Sequence, residues 1–245
     1  MSLGPSLNLW VGDNGAGKTS VLEAVSILSV GRSFVTSRLK SVIAFDQPSL
    51  TVFGHINNGV EAHRMAIQVS RDDDRKLRLD GAIARGQAAL SRVLPVLHIT
   101  PHVTDLISGS PGDRRRFLDW GAFHWSGGSA ASFSSLRRAL LQRNTALRSG
   151  ILSLDALEPW DRQIGFHGEA VDGWRRAFLS DVTPVFQSLC KRFELGIELQ
   201  LVYRNGWGGG SLSDALRQNR PRDLKSRSTL VGPQRADFDI GRDGE

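Results

Sequence analysis

The residues whose types and spacing most plainly suggest chemistry are Gly12, Asp13, Asn14, Gly15, Ala16, Gly17, Lys18, Thr19 and Ser20, a run that fills the pattern G-x-x-x-x-G-K-[ST]. Glycines at 12, 15 and 17 let the backbone turn tightly and bring its N–H groups within reach of phosphate oxygens, next to the positive end of a helix. Lys18 offers a point charge for β- and γ-phosphates, and the Thr19 hydroxyl can ligate Mg²⁺. The chemistry implied is binding of a nucleoside triphosphate with its magnesium ion. Other constellations carry less. His98 and His102 are four apart in HITPH, but Pro101 stands between them and no cysteine is near, so zinc ligation is not indicated. There is no G-x-S-x-G elbow, and the single Cys190 has no recognisable partner; no catalytic residue is identified.

Those residues need elements to hold them. The stretch LNLWV at 7–11 reads as a strand, and VLEAVSIL after the glycine loop has helical spacing, giving strand, loop and helix. Residues 50–80 then alternate apolar and polar in LTVFGHI, HRMAIQV and KLRLDG, separated by NNG and RDDDR, which predicts an antiparallel β-meander. From 115 to 193 the period changes. Phe133, Leu136, Leu140 and Leu147 form one helical stripe, and a second runs from Trp160 through Ile164, Val171 and Phe178 to Leu189 and Phe193. Two helices are expected, with a turn around ILSLDALEP and a kink or break at Pro184. Strand-like runs return in LGIELQLVY at 195–203 and FDI at 238–240.

At 245 residues and 40% hydrophobic, the chain can bury one large core or two modest ones. Its net charge is +6, and 26 Arg stand against five Lys. Seven of those Arg fall between 113 and 148, against only Asp113 and Asp119, and arginine suits bidentate phosphate contacts. Arg114, Arg115, Arg116, Arg137 and Arg138 are therefore candidate contacts to DNA phosphates, with a solvated, locally paired face as the bland alternative. One cysteine, no signal-peptide pattern and no membrane-length apolar run point to a reducing, cytoplasmic setting. Cys190, in an amphipathic stretch, reads as a buried structural thiol.

Five stretches, in order, carry a family resemblance: GDNGAGKTSVLEAVSILSVGRSF at 12–34, PGDRRRFLDWGAFH at 111–124, LLQRNTALR at 140–148, EPWD at 158–161 and VGPQRAD at 231–237. In these the chain resembles the RecF family of bacterial recombination-repair ATPases, relatives of SMC and ABC ATPases. The resemblance implies an α/β fold: an ABC/SMC-like P-loop NTPase lobe with an antiparallel β subdomain and an inserted antiparallel helical lobe. It implies residues 1–112 as the first part of the ATPase lobe, 113–194 as the helical lobe, and 195–245 as a return to the first lobe. It further implies ATP and Mg²⁺ as cofactors, with residues 12–20 as the phosphate loop, Lys18 on the phosphates and Thr19 on the metal. Members dimerise head to head with nucleotide between the subunits, and bind duplex DNA near single-strand gaps. With RecR and RecO they aid RecA loading in recombination, replication restart and the SOS response.

There are departures from the family pattern. Only residues 1–11 precede the loop, where the family has a strand pair. ARGQ at 84–87 matches the family's LSRGQ signature faintly, at the wrong place, and reads as a turn followed by a short helix; no apolar run ends in Asp-Glu as a Walker B strand would, and LRLD at 77–80 reads as a strand end. His102 stands where the family often has a carboxylate, and Gly232, Pro233, Arg235 and Asp237 mark the family without an evident mechanism. The expectation is a chain truncated at both ends that binds nucleotide but lacks the residues of the family's weak DNA-dependent ATPase. A P-loop phosphotransferase and a non-catalytic interaction module are the alternatives.

Overall fold

The computed structural model describes residues 2–57, 59–72, 74–127, 129–150, 153–194 and 196–242, with the backbone alone at 102 and 242. Packing divides these residues into two units, 2–99 and 100–242.

In the first unit the helix expected after the glycine loop is α1 (Lys18–Val30), which Gly31 ends in the left-handed conformation at φ 68. The meander is present as β1 (Ser49–Asn57), β2 (Ala62–Ser70), β3 (Arg75–Leu79) and β4 (Ala82–Ile83), four antiparallel strands in chain order. Alternation decides which face is buried. Met65, Ile67 and Val69 of β2 point to one side and pack with Ile27, Leu28, Leu39 and Leu90 in a single core. Burying side chains of this size contributes about 1.5–3 kcal/mol each. Leu90 belongs to α2 (Gln87–Val93), so ARGQ is the turn and short helix expected of it, with Gly86 at φ 140.

The segment at 7–11 departs from its reading as a strand. It has no ladder partner among the described residues, and Leu7, Leu9 and Val11 are 87%, 83% and 85% exposed. Alternation alone does not make a strand, because extended backbone is stabilised only when a neighbour takes its N–H and C=O groups.

The second unit holds a short turn α3 (Asp105–Ser108), then α4 (Pro111–Trp125), α5 (Ala130–Ser149), α6 (Glu158–Arg192), β5 (Leu199–Arg204), α7 (Leu212–Ser226) and β6 (Asp237–Arg242). Pro111 opens α4 behind a Ser110–Asp113 capping box. α5 and α6 are the two helices read from the apolar stripes; of the turn between them, Ile151 and Leu152 lie outside the described residues.

α6 runs for 35 residues with Pro184 inside it, so of the kink or break expected there the break does not occur. That proline lies on the exposed side, where water can serve the Ser180 carbonyl deprived of its N–H partner, and Thr183 Oγ1 donates to the Leu179 carbonyl at 2.7 Å. The stripe is buried at Ile164 and Val171, half-buried at Phe178, where the neighbouring Leu179 is the buried residue, and then emerges, with Val185 and Phe193 60% and 74% exposed. Cys190 is buried, as read.

β5 and β6 pair antiparallel from Leu199 opposite Arg242 to Arg204 opposite Asp237. Phe238 packs with Leu118 of α4 and Leu179 of α6, so this ribbon shares a core with the helices. Boundaries are expected from the sequence at 112/113 and 194/195, whereas packing groups residues 100–112 and 196–242 with the helices. The reason is burial: the apolar sides of α4, α6 and α7 are covered by one another and by the ribbon.

Candidate nucleotide-binding loop and arginine lattice

Within the glycine loop, Ala16 N–H donates to the Asp13 carbonyl at 3.2 Å, closing a tight turn. Gly15 and Gly17 then take φ 86 and φ 85, a region that side chains other than glycine enter at a cost. Beyond the flanking residues, no atom lies within 4 Å of where a Cβ would stand at either position, so the glycines serve conformation and leave open space beside the backbone. Lys18 folds back along the loop, its Nζ donating to the carbonyls of Gly12 at 2.6 Å and Asp13 at 2.8 Å. The N–H groups of Gly15, Gly17, Lys18 and Thr19 have no acceptor among the described residues, and Thr19 and Ser20 are exposed on the first turn of α1. A cluster of donors, an ammonium and an accessible hydroxyl around open space fits a triphosphate with Mg²⁺ on Thr19, the set read from the sequence.

The other end of α1 is fastened by side chains. Gln87 Nε2 donates to the carbonyls of Leu28 and Ser29, at 3.1 and 2.7 Å, and Ser91 Oγ reaches the Ser29 carbonyl at 2.6 Å. Ser26 Oγ donates to the Arg32 carbonyl and lies 3.0 Å from His98 Nε2. Burial lowers the His98 pKa, so the ring is neutral near pH 7. The side chain of His102 lies outside the described residues, and among those described no group of three His, Cys, Asp or Glu could hold a metal.

In the second unit, the three consecutive arginines divide by direction. Arg114 makes a bidentate pair with Asp237, Nε at 2.7 Å and Nη2 at 3.0 Å, and holds that carboxyl below the usual range. Arg115 Nη1 donates to the Ala236 carbonyl at 2.9 Å. Arg116 faces solvent and pairs with Asp113; Arg137 and Arg138 are also exposed.

A second arginine cluster escaped the sequence reading. Arg143, fully buried, donates through Nε to Asp161 Oδ1 at 2.7 Å, and through Nη1 to Asp223 Oδ2 at 2.7 Å and Thr229 Oγ1 at 2.9 Å. Arg220 takes the other oxygen of Asp161 at 2.7 Å and also pairs with Glu158. Burial pushes the Asp223 carboxyl up, opposed by the Leu230 N–H and by Arg143. Asn144 Oδ1 accepts from Thr229 N–H at 2.8 Å, and Arg175 joins Asp119 to the Pro233 carbonyl. At Gly232 the chain crosses Gly206, whose carbonyl accepts the Gly232 N–H at 3.0 Å; a Cβ on Gly206 would stand 2.4 Å from the Gly232 oxygen. Thus four of the quoted stretches, 111–124, 140–148, 158–161 and 231–237, meet in one lattice that fixes the 229–237 segment. The signals that could have revealed it were the S-x-x-D cap at Ser211 and the Leu212–Leu216 spacing, which mark α7 as the helix carrying Arg220 and Asp223.

A glycine loop that presents its donors at the head of a helix, backed by an antiparallel sheet and accompanied by a helical unit, defines a P-loop nucleotide-binding protein of α/β architecture. No family model matches the chain. It is 40% identical over 241 residues to the DNA replication and repair protein RecF of Pseudomonas syringae pv. syringae (strain B728a), an alignment covering 97% of this chain and 65% of that protein. It is 37% identical over 247 residues to RecF of Pseudomonas aeruginosa (strain LESB58), covering 100% of this chain and 67% of the relative. The solved structure of the recombination mediator protein RecF-ATP in the RecFOR pathway shares its fold, with a TM-score of 0.84 at 23% identity over 96% of this chain and 67% of that chain. The chain belongs to the RecF family. It spans about two thirds of the length of these relatives. No helix among the described residues is long and apolar enough to cross a membrane.

Proposed function

We propose that this chain carries the ATP-binding and DNA-binding part of a RecF-type repair protein, in which nucleotide on residues 12–20 controls the grip on duplex DNA near single-strand gaps. One observation supports the reading: in a chain of this family, one short glycine loop carries Lys18 together with the N–H groups of Gly15, Gly17, Lys18 and Thr19, which have no acceptor among the described residues, beside open space at Gly15 and Gly17. The ammonium rests on carbonyls that phosphate oxygens would replace, and the Thr19 hydroxyl would hold Mg²⁺. The bound metal would supply charge neutralisation at the β- and γ-phosphates. Arg116, Arg137 and Arg138 are the exposed arginines proposed to meet DNA phosphates. Arg114 and Arg115, candidates from the sequence, act in this reading by positioning the 236–237 backbone. Head-to-head dimerisation with nucleotide between subunits, cooperation with RecR and RecO, and aid to RecA loading are the family partnerships proposed for the whole protein, in the cytoplasm.

The test is calorimetric titration with Mg-ATP. Lys18→Ala removes charge-assisted bonds worth about 1.5–3 kcal/mol, so its affinity is expected to fall by tenfold or more. Equal ATP affinity in Lys18→Ala and the native chain would contradict the assignment of this loop.

A further inference from the structure

The β-meander has two faces, and only one is used by the core. β1–β2 pairing sets Phe53 opposite Ala66, and His55 opposite Arg64; β2–β3 pairing sets Ala66 opposite Arg78, and Gln68 opposite Lys76. Successive rows of the outward face therefore carry Phe53–Ala66–Arg78 in the middle, with His55–Arg64 on one side and Lys76 on the other. Phe53 is 58% exposed, and its ring meets the His55 ring edge-on at a centroid distance of 4.8 Å. Arg64, Lys76 and Arg78 are all exposed, and among the described residues no carboxylate forms an ion pair with any of them. Asp80, at the end of the His55–Arg64 row, is committed to His63 at 2.8 Å and to the Arg64 N–H. A depression of about 530 Å³ is lined there by Phe53, Arg64, Ala66 and Arg78, with Asp80 and Gly81 at its edge.

From this arrangement we infer that the outward face of the meander binds single-stranded DNA, with a base stacked on Phe53 and the flanking phosphates on Arg64, Arg78 and Lys76. The choice of a single strand over a duplex follows from the chemistry of the face. An aromatic ring set among cations on a sheet can stack a base only if that base is free of its neighbours, whereas a duplex keeps its bases stacked and would present phosphates alone. An exposed phenyl ring beside three cations that have no carboxylate ion pair among the described residues, Arg78 donating only to the Gly81 carbonyl at 3.0 Å, is complementary to a chain that alternates apolar base faces with anionic phosphates. This surface is separate from the phosphate loop and does not depend on nucleotide.

Ultraviolet crosslinking of the native chain to an oligothymidylate of about 15 nucleotides, without ATP, followed by peptide mass spectrometry, tests the proposal. The expected crosslink lies on β1, at Phe53 or His55. In fluorescence anisotropy with the same oligonucleotide, Phe53→Ala should weaken binding about tenfold while Phe53→Trp retains it. Arg64→Ala and Arg78→Ala should each lower the slope of log affinity against log salt by about 0.7. Crosslinks elsewhere in the chain with unchanged affinity in Phe53→Ala would overturn the inference. These assays contain no nucleotide, so failure here is distinguishable from failure of the ATP-dependent reading.

Discussion

At the scale of single residues, arginine does two different jobs, and neighbouring positions can divide between them. Arg116 reaches water while Arg114 is spent on Asp237, although the run RRR gives no hint of which will turn inward. The deciding fact is remote in sequence: Asp237 lies 123 positions away. Arg143 is the extreme case, buried without exposure between Asp161 and Asp223. Replacing it with methionine would leave Asp223 in a low-dielectric site without its cation, and breaking such a pair costs about 3–5 kcal/mol. Arg143→Met is therefore expected to lower unfolding stability by that amount in urea titration, and Arg143→Met with Asp223→Asn should recover part of it. A loss below about 1 kcal/mol in the single variant would contradict the view that this pair anchors α5 to α7.

At the scale of elements, legibility followed the source of the signal. The meander, α1 and α5 were readable because their periodicity, turn residues and glycines act locally. The continuation of α6 past Pro184 was not readable, since it depends on that proline facing outward. Nor was α7, whose interior Pro221 and arginine-rich sequence resemble a loop until its buried ion pairs are seen. The turn at residues 13–17 and the helix that follows it were legible because glycine conformation and helical spacing act locally. The roles of Gly232 and Asp237 needed tertiary structure.

The Arg114–Asp237 pair links α4 to β6 and makes a pH prediction. Asp237 has a lowered pKa in the folded state, chiefly through its hydrogen bonds with Arg114, so the pair adds stability above the unfolded carboxylate pKa of about 4 and loses it as pH falls through the lower folded value. Asp237→Asn should lose stability at pH 7 and show a shallower decline below pH 4 than the native chain in thermal melts. Parallel acid limbs would argue against the linkage.

At the scale of the whole molecule, one unit carries the glycine loop and the sheet with its basic, aromatic face, and the other carries a helical framework with exposed arginines and an internal ion lattice. In the proposed function, nucleotide on the loop governs the hold on DNA. Linkage makes the claim quantitative: if ATP favours a state that binds DNA more tightly, DNA must favour ATP binding by the same factor. The most direct measurement is anisotropy of a labelled gapped duplex titrated with the native chain and with Lys18→Ala, each with and without Mg-ATP at fixed salt. The native chain is expected to bind the duplex several-fold more tightly with ATP, a coupling of about 1–3 kcal/mol, and Lys18→Ala to bind equally with and without it. Identical native affinities in the two conditions would contradict the claim.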